Sequence, residues 1–167
     1  MKIAVISDSH DNWKNLEEAV SKANQKGCGE LFFLGDLVSP PGIKIFEKFN
    51  GEVKFVWGNN EGERMGITRK IDASEKIELC GNTFEGEFDG VKIFMNHLPR
   101  ISELVAKSSE FDLCLYGHTH EYKKERVGDC VLLNPGAVQE FKGQATFVIF
   151  DTSSWKVEKL VLSGKEF

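Results

Sequence analysis

The N-terminal third of the chain alternates between short apolar runs and amphipathic stretches, and this alternation restricts the fold more than any other feature. The runs Lys2 to Ser7, Leu31 to Leu34 and Glu52 to Trp57 are rich in aliphatic and aromatic residues, as buried strands are. Between them, Lys14 to Lys26 and Ile43 to Phe49 carry apolar side chains at helical spacing. Strands that alternate with helices are joined by crossovers, so the sequence predicts a parallel sheet and an α/β fold.

The pattern then changes, and strands follow one another without helical stretches between them. Glu75 to Leu79, Thr83 to Phe88 and Val91 to Asn96 are close in sequence, and Asp89-Gly90 is a strong signal for a two-residue hairpin turn. We therefore expect an antiparallel arrangement here. A further helix is predicted at Ile101 to Lys107. The remaining strands are Leu113 to Tyr116, Val131 to Asn134, Ala145 to Asp151 and Lys156 to Leu162. The patterns thus place ten strands and three helices, and for the whole chain we expect about eleven strands and four helices.

Length and charge bound the class of protein. With 167 residues, the chain is expected to form one domain over residues 1–167, since domains average roughly 150 residues. The 21 Lys and Arg are outnumbered by 26 Asp and Glu, which gives a net charge of −5 without any basic run, so a nucleic-acid polymer is not an expected partner. No apolar stretch approaches the roughly 18 residues that would cross a membrane, so we expect a cytoplasmic protein without a membrane anchor.

Residues able to bind metal ions follow five of the predicted strands. In an open α/β sheet, ligands bind beyond the carboxyl ends of the strands, so these residues are expected to converge on one crevice. All four histidines of the chain belong to the set, and none is placed on a helix face. The candidate metal ligands are Asp8, His10, Asp36, Asn59, His97, His118 and His120.

Several of these residues have an ordinary structural interpretation when each is taken alone. Asp8 could cap the following helix, Gly58-Asn59-Asn60 is a common turn sequence, and His97 could pack at an interface. His118 and His120 differ, because two imidazoles two residues apart point the same way from an extended backbone and can grip one or two neighbouring cations. Taken together, the candidate ligands favour a metal site.

The candidate ligands lie in short motifs with a fixed order, and this order extends with the turn Asn134-Pro135-Gly136 from Met1 to about Asp151. The motifs are Asp8-x-His10, Gly35-Asp36, Gly58-Asn59, His97 and Gly117-His118-x-His120. In this order they resemble the calcineurin-like metallophosphoesterases, and most of all their small single-domain phosphodiesterases of archaea and bacteria. The resemblance implies a two-sheet sandwich, with mixed parallel and antiparallel sheets flanked by helices in four αββα layers.

The resemblance also implies two divalent metal ions per subunit and a division of the ligands between them. Imidazole and carboxylate ligands without thiolate suit Mn²⁺, which is our first choice, and also Ni²⁺, Fe, Co²⁺ and Zn²⁺. One ion would be held by Asp8, His10 and His120, and the other by Asn59, His97 and His118, with Asp36 bridging both.

The reaction implied is the hydrolysis of a phosphoric diester. A hydroxide that bridges the two ions would attack phosphorus in line. Two divalent ions, the carboxylates of Asp8 and Asp36 and this hydroxide leave one positive charge, which a phosphodiester monoanion neutralises and a monoester dianion exceeds. We therefore expect a metal-dependent phosphodiesterase that acts on a small phosphodiester.

Three departures from the family pattern affect this expectation. Asn60 stands where many members have a His, so we expect Asn60 to contact the substrate or the transition state without acting as an acid. Ser39 replaces a carboxylate that many relatives carry after the bridging Asp. Leu98-Pro99 replaces a Gly-His after His97, so the approach to the site should differ from that in relatives.

These departures keep a second function open, a metal-binding protein-interaction scaffold of the same fold with little or no turnover, as in the related retromer subunit. A nuclease, which the family also contains, is disfavoured by the net charge of −5 and by the absence of a basic stripe. Relatives often assemble through exposed strands, so a homodimer or a larger homo-oligomer is also open.

Overall fold

Eleven strands and four α-helices make up residues 1–163, the part of the chain that the computed structural model describes. The strands are β1 (Lys2–Ile6), β2 (Glu30–Phe33), β3 (Glu52–Val56), β4 (Ile77–Gly81), β5 (Thr83–Phe88), β6 (Val91–Asn96), β7 (Leu113–Leu115), β8 (Tyr122–Val127), β9 (Cys130–Pro135), β10 (Thr146–Asp151) and β11 (Lys156–Val161). The helices are α1 (Trp13–Gln25), α2 (Ile43–Phe46), α3 (Arg64–Asp72) and α4 (Pro99–Ala106), with a 3₁₀ turn at Pro40–Gly42. Residues 164–167 of the expected domain lie outside the described residues. Among residues 1–163, no helix is both long enough and apolar enough to span a bilayer.

Two mixed sheets form the centre of the fold. The first has the strand order β11-β10-β1-β2-β3-β4, in which β1 to β4 run parallel and β10 and β11 pair antiparallel. The second has the order β5-β6-β7-β9-β8, in which β6, β7 and β9 run parallel between antiparallel edge strands. The parallel strands β1, β2, β3, β6 and β7 end just before the candidate metal ligands.

Side chains alternate along the strands and divide the core into layers. On β1, Ile3 and Val5 belong to the apolar cluster between the two sheets, whereas Ala4 and Ile6 belong to the cluster beneath α1, α2 and α3. On the outer face of the second sheet, Ala106 of α4 packs in a third cluster. The layers are therefore helices, sheet, sheet and helix, which confirms the four-layer sandwich.

The structure corrects the place of one strand. The prediction that Glu75 to Leu79 joins the antiparallel strands is wrong, because β4 pairs in parallel with β3 at the edge of the first sheet. Gly81, at the end of β4, has a φ of 81° and turns the chain towards β5 in the second sheet. A short connection, which usually forms a hairpin, here joins two sheets.

Two elements are not located by the sequence patterns. The helix α3 buries only Ile67 and Ile71, so its apolar periodicity is weak. The strand β8 lies at a sheet edge and carries mostly charged residues, which discourage pairing with another chain and also hide the strand from a hydrophobicity pattern.

Glu30 is a buried carboxylate at the start of β2, at the end of the sheet opposite the candidate ligands. It is 9% exposed, its Oε2 has no hydrogen-bond partner among residues 1–163, and burial raises its pKa to about 7. Lys54 opposes this shift, but the Lys54 ammonium donates its hydrogen bonds to Glu78 and Glu52, at 2.8 and 3.3 Å. Ionising Glu30 in the folded protein is therefore costly.

We expect Glu30→Gln to stabilise the protein near pH 8 and to have little effect near pH 4. The unfolded chain loses the Glu30 proton near the usual value of 4.5 and the folded chain only near 7, so wild-type stability falls as the pH rises between these values. Because Gln has no charge to bury, the free energy of unfolding should exceed that of the wild type by about 1–3 kcal/mol near pH 8. Urea denaturation at both pH values measures this. The exposed Glu85→Gln is the control, and a pH-independent difference for Glu30→Gln would contradict the prediction.

Candidate metal centre

The candidate ligands lie together in loops at one edge of both sheets. Those from the first sheet are Asp8 and His10 after β1, Asp36 after β2 and Asn59 after β3, and those from the second are His97 after β6 and His118 and His120 after β7. Contacts join the two sets: Asp8 Oδ1 lies 3.1 Å from His120 Nε2, and Asp36 Oδ2 lies 3.5 Å from His97 Nε2. The fold therefore brings residues from two separate sheets to one place.

One group of donor atoms comes from Asp8, His10, Asp36 and His120, whose candidate ligand atoms all lie within 4.8 Å of one another. The Nε2 atoms of His10 and His120 are 3.3 Å apart. Asp8 is fully buried, and its Oδ1 accepts no hydrogen bond from any described residue. A buried carboxylate oxygen without a hydrogen bond is costly unless a cation binds it, so this group fits a divalent ion that prefers imidazole and carboxylate ligands.

A second group lies beside the first and contains Asn59, His97 and His118. The Asn59 Oδ1 atom is 2.8 Å from His97 Nε2 and 2.7 Å from His118 Nδ1. The other ring nitrogen of His97, Nδ1, is 2.7 Å from the carbonyl oxygen of Leu34. That carbonyl can accept a hydrogen bond from Nδ1–H, which leaves the Nε2 lone pair directed at the site, as is common for metal-binding histidines.

Asp36 lies between the two groups. Its Oδ2 is 3.4 Å from His10 Nε2 and 3.5 Å from His97 Nε2. Asn60 donates to the same carboxylate twice, from its backbone N–H to Oδ1 at 2.7 Å and from its side-chain amide to Oδ2 at 2.9 Å. Asn60, expected from the sequence to contact substrate, therefore also holds the Asp36 carboxylate.

The charges of the first group reinforce one another. Burial alone would raise the pKa of Asp8, but the imidazoles of His10 and His120 beside its carboxylate outweigh burial and hold this pKa well below its usual range. The nearby Asp8 carboxylate in turn raises the pKa of His10, against the opposing effect of burial. Asp8 thus remains a carboxylate at neutral pH and attracts positive charge into the site.

Backbone strain is concentrated at this site. Non-glycine residues with a positive φ are uncommon, and each costs of order 1–3 kcal/mol when the surrounding structure enforces it. Such strain clusters at functional sites, which agrees with a metal site here. The candidate ligands with positive φ, between 43° and 66°, are Asp8, His10, Asp36, His118 and His120.

Two glycines of the motifs allow the backbone to pack directly against the carboxylates. A Cβ at Gly58 would lie 2.0 Å from Asp36 Oδ1, and a Cβ at Gly117 would lie 2.7 Å from Asp8 Oδ2. Any larger residue would displace a candidate ligand. Glycine at these positions is therefore a requirement of the site and not only of a turn.

Glu61 is a supporting residue that the sequence analysis did not single out. Its Oε1 accepts hydrogen bonds from the backbone N–H groups of Asp36, at 2.9 Å, and of Gly58, at 2.8 Å. One carboxylate oxygen thus joins the loops after β2 and β3. Its place directly after Gly58-Asn59-Asn60 was visible in the sequence, but its burial was not.

We expect Glu61→Ala to weaken metal binding by about tenfold to a hundredfold, as loss of a hydrogen bond that positions a metal ligand typically does. The free energy of unfolding should fall by roughly 2–4 kcal/mol, because two backbone donors lose their acceptor. Calorimetric titration with Mn²⁺ and urea denaturation measure the two effects. Glu61→Gln, which keeps an acceptor oxygen, is the control. Unchanged Mn²⁺ affinity in a folded Glu61→Ala protein would rule out this positioning role.

Comparisons with known proteins agree with this geometry. The sequence profile of the calcineurin-like phosphoesterase superfamily domain matches residues 1–154. Phosphodiesterase MJ0936 from Methanocaldococcus jannaschii is 32% identical over 165 residues, which are 97% of this chain and 99% of that protein. A solved structure of an archaeal phosphodiesterase superposes with a TM-score of 0.90 at 33% identity and covers 97% of this chain and 100% of its own.

The chain is also similar to a protein that is named for vacuolar protein sorting and not for an enzymatic activity. Vacuolar protein sorting-associated protein 29 from Schizosaccharomyces pombe is 25% identical over 140 residues, which are 82% of this chain and 72% of that protein. Because the profile match and the similarity to MJ0936 both extend over nearly the whole chain, the resemblance inferred from the motifs is confirmed, and this chain belongs to the calcineurin-like phosphoesterase superfamily.

Proposed function

We propose that the chain is a metal-dependent phosphodiesterase that hydrolyses a small phosphodiester at a dinuclear metal centre. The observation that carries this proposal is the position of Asp36, whose Oδ2 lies within 3.5 Å of an imidazole nitrogen from each donor group. A carboxylate in that position can be shared by two ions. Membership of a phosphoesterase family and the 32% identity with phosphodiesterase MJ0936 support the reaction class.

The chain's own residues would hold and orient the reacting groups. Asp8, His10 and His120 would bind one ion and Asn59, His97 and His118 the other, with Asp36 between them and Mn²⁺ as the first choice of ion. Metal ions bound there would neutralise phosphate oxygens and lower the pKa of a water molecule. The amide of Asn60 and the Oε1 of Glu61 would keep Asp36 in place.

A small diester fits the charge of this centre better than a monoester or a nucleic-acid polymer. Asp8 and Asp36 are the only carboxylates among the proposed ligands, so two divalent ions would leave the centre positive. A diester monoanion matches that charge more closely than a monoester dianion does. The net charge of −5 for the whole chain works against binding of a polyanion.

The test is a metal and substrate panel on the purified protein. After chelation, the protein is reloaded in turn with Mn²⁺, Ni²⁺, Co²⁺, Zn²⁺ and Mg²⁺, its metal content is measured, and hydrolysis of bis(p-nitrophenyl) phosphate and of p-nitrophenyl phosphate is followed. We expect close to two ions per chain and faster cleavage of the diester. Metal-loaded protein that cleaves neither ester would overturn the proposal.

One observation favours the alternative function, a metal-binding interaction scaffold. The surface at and just before helix α4 exposes the apolar side chains of Leu98, Ile101 and Leu104. The chain is also 25% identical to vacuolar protein sorting-associated protein 29 from S. pombe. Exposed apolar groups of this kind are used in protein contacts. The same panel decides: metal binding at full occupancy without hydrolysis would favour the scaffold.

A further inference from the structure

A cleft of 330 Å³ opens beside the second donor group. It is lined by Asn59 and His97, which are proposed ligands of the second metal ion, and by Trp57, Arg64, Leu98 and Ile101. Its volume is within the range of about 300–1,000 Å³ that small-molecule sites occupy. The cleft therefore extends from the proposed metal centre into a largely apolar space.

One wall of this cleft is fixed in place. The Arg64 guanidinium lies over the Trp57 ring, 5.1 Å from its centroid, and Arg64 Nη2 donates to the carbonyl oxygen of Gly58 at 3.1 Å. The indole and the guanidinium are both planar groups with faces suited to stacking. Since Gly58 is held in turn by Glu61, this wall is joined to the same loop that carries Asn59.

Another part of the lining comes from a departure noted in the sequence. Leu98 stands where the family resemblance led us to expect Gly, and its backbone N–H donates to Asn96 Oδ1 at 2.7 Å. Pro99, the next residue, begins α4. Ile101 lies about one helical turn after Leu98 and also lines the cleft. Leu98 and Ile101 are 40% and 39% exposed, so both leave apolar surface uncovered. A glycine at position 98 would not supply this surface.

A second cleft, of 470 Å³, also reaches Asn59 and is lined by His10 and Asn60 among others. It is the more polar and the more open of the two clefts. A phosphodiester has two ester groups, and two clefts adjoin the candidate metal centre, one lined by His97 and the other by His10. The clefts differ in chemistry, so they should differ in the groups they accept.

We propose that the cleft lined by Trp57 and Leu98 binds a flat aromatic ring, such as an aryl group or a nucleobase, on one ester group of the phosphodiester. This inference rests on the proposed function and adds the substrate class: diesters with an aromatic ring on one side, in preference to simple alkyl diesters. The ring would contact Trp57, Leu98 and Ile101, while the phosphate lies at the metal ions.

The test compares dimethyl phosphate with diphenyl phosphate by isothermal titration calorimetry on Mn²⁺-loaded protein. Both are monoanions, so their contacts with the metal ions are alike and only the rings differ. We expect diphenyl phosphate to bind at least about tenfold more tightly, from burial of one ring. Leu98→Ala and Ile101→Ala should each weaken the binding of diphenyl phosphate about threefold to tenfold and leave the affinity for dimethyl phosphate unchanged. Leu104→Ala, on the same helix but outside the cleft, is the matched control.

The outcomes separate this inference from the proposed function. Equal affinity for the two esters, or an equal effect of Leu104→Ala and Ile101→Ala, overturns the inference alone if bis(p-nitrophenyl) phosphate is still hydrolysed. If neither ester binds and no diester is hydrolysed, the proposed function falls and the inference falls with it. A ring preference that disappears in Leu98→Ala and Ile101→Ala supports the inference.

Discussion

Replacing Asp36 by Asn is expected to remove bound metal and turnover together. Asp36 is 1% exposed, and its Oδ2 faces His10 on one side and His97 on the other, so it is the one carboxylate that both proposed ions would share. An amide carries no negative charge that would attract a cation. It would also turn its NH₂ group towards one of the two hydrogen-bond donors of Asn60. We expect kcat/KM on bis(p-nitrophenyl) phosphate to fall by at least about a hundredfold.

The measurement for Asp36→Asn combines metal analysis after dialysis, diester hydrolysis and circular dichroism. Dichroism shows whether the variant is folded, which separates loss of the site from loss of the fold. Asp129→Asn, an exposed substitution in the turn between β8 and β9, is the matched control and should behave as the wild type does. Full activity in a folded Asp36→Asn protein would exclude a mechanism that depends on a shared carboxylate.

The sequence could predict the first half of the site from a general rule. Asp8 and Asp36 follow two parallel strands, β1 and β2, that are neighbours in one sheet. The carboxyl ends of such strands lie side by side, so residues after them meet without further information. The short apolar runs and the loop residues after them were enough for this inference.

For the second half the same rule gave the right expectation, but it does not by itself place these residues. His97 and His118 follow strands of the other sheet, and no local pattern states how one sheet is placed on the other. The strand-end rule led us to expect them in the same crevice as Asp8 and Asp36, and the motif order of the family gave the division of the ligands between two ions. The structure shows the physical basis, which is packing of side chains such as Val5 and Leu115 in the apolar cluster between the sheets.

The supporting residues could not be predicted from the sequence, for a related reason. Glu61 and Gln139 contact Asp36 and His120, but a Glu in a turn and a Gln before an exposed loop are ordinary at the level of sequence. Their roles depend on burial, and burial is a property of the assembled layers. The wrong prediction for β4 has the same cause, because Gly81 alone does not determine which sheet the chain enters next.

Replacing Asn60 by His is expected to raise the hydrolysis of a dialkyl phosphodiester by about tenfold to a hundredfold, a part of the 10²–10⁴ that a positioned general acid contributes. Asn60 lies against Asp36 and lines the polar cleft, so an imidazole there would be close to the bound phosphate. An alkoxide leaving group needs a proton, whereas p-nitrophenolate leaves without one. Hydrolysis of bis(p-nitrophenyl) phosphate should therefore change by less than about threefold, and the wild type should cleave it far faster than the dialkyl ester.

The pH profile separates acid catalysis by this histidine from a change in packing. The gain on the dialkyl ester should be present at low pH and should fall as the pH rises through the imidazole pKa, near 6.5 for an unperturbed histidine, because only the protonated ring can donate. Asn60→Gln keeps an amide, has no titrating proton, and should show no gain. Equal wild-type rates on the two esters at saturating Mn²⁺, or an equal gain in Asn60→Gln, would show that a missing acid is not what limits this enzyme.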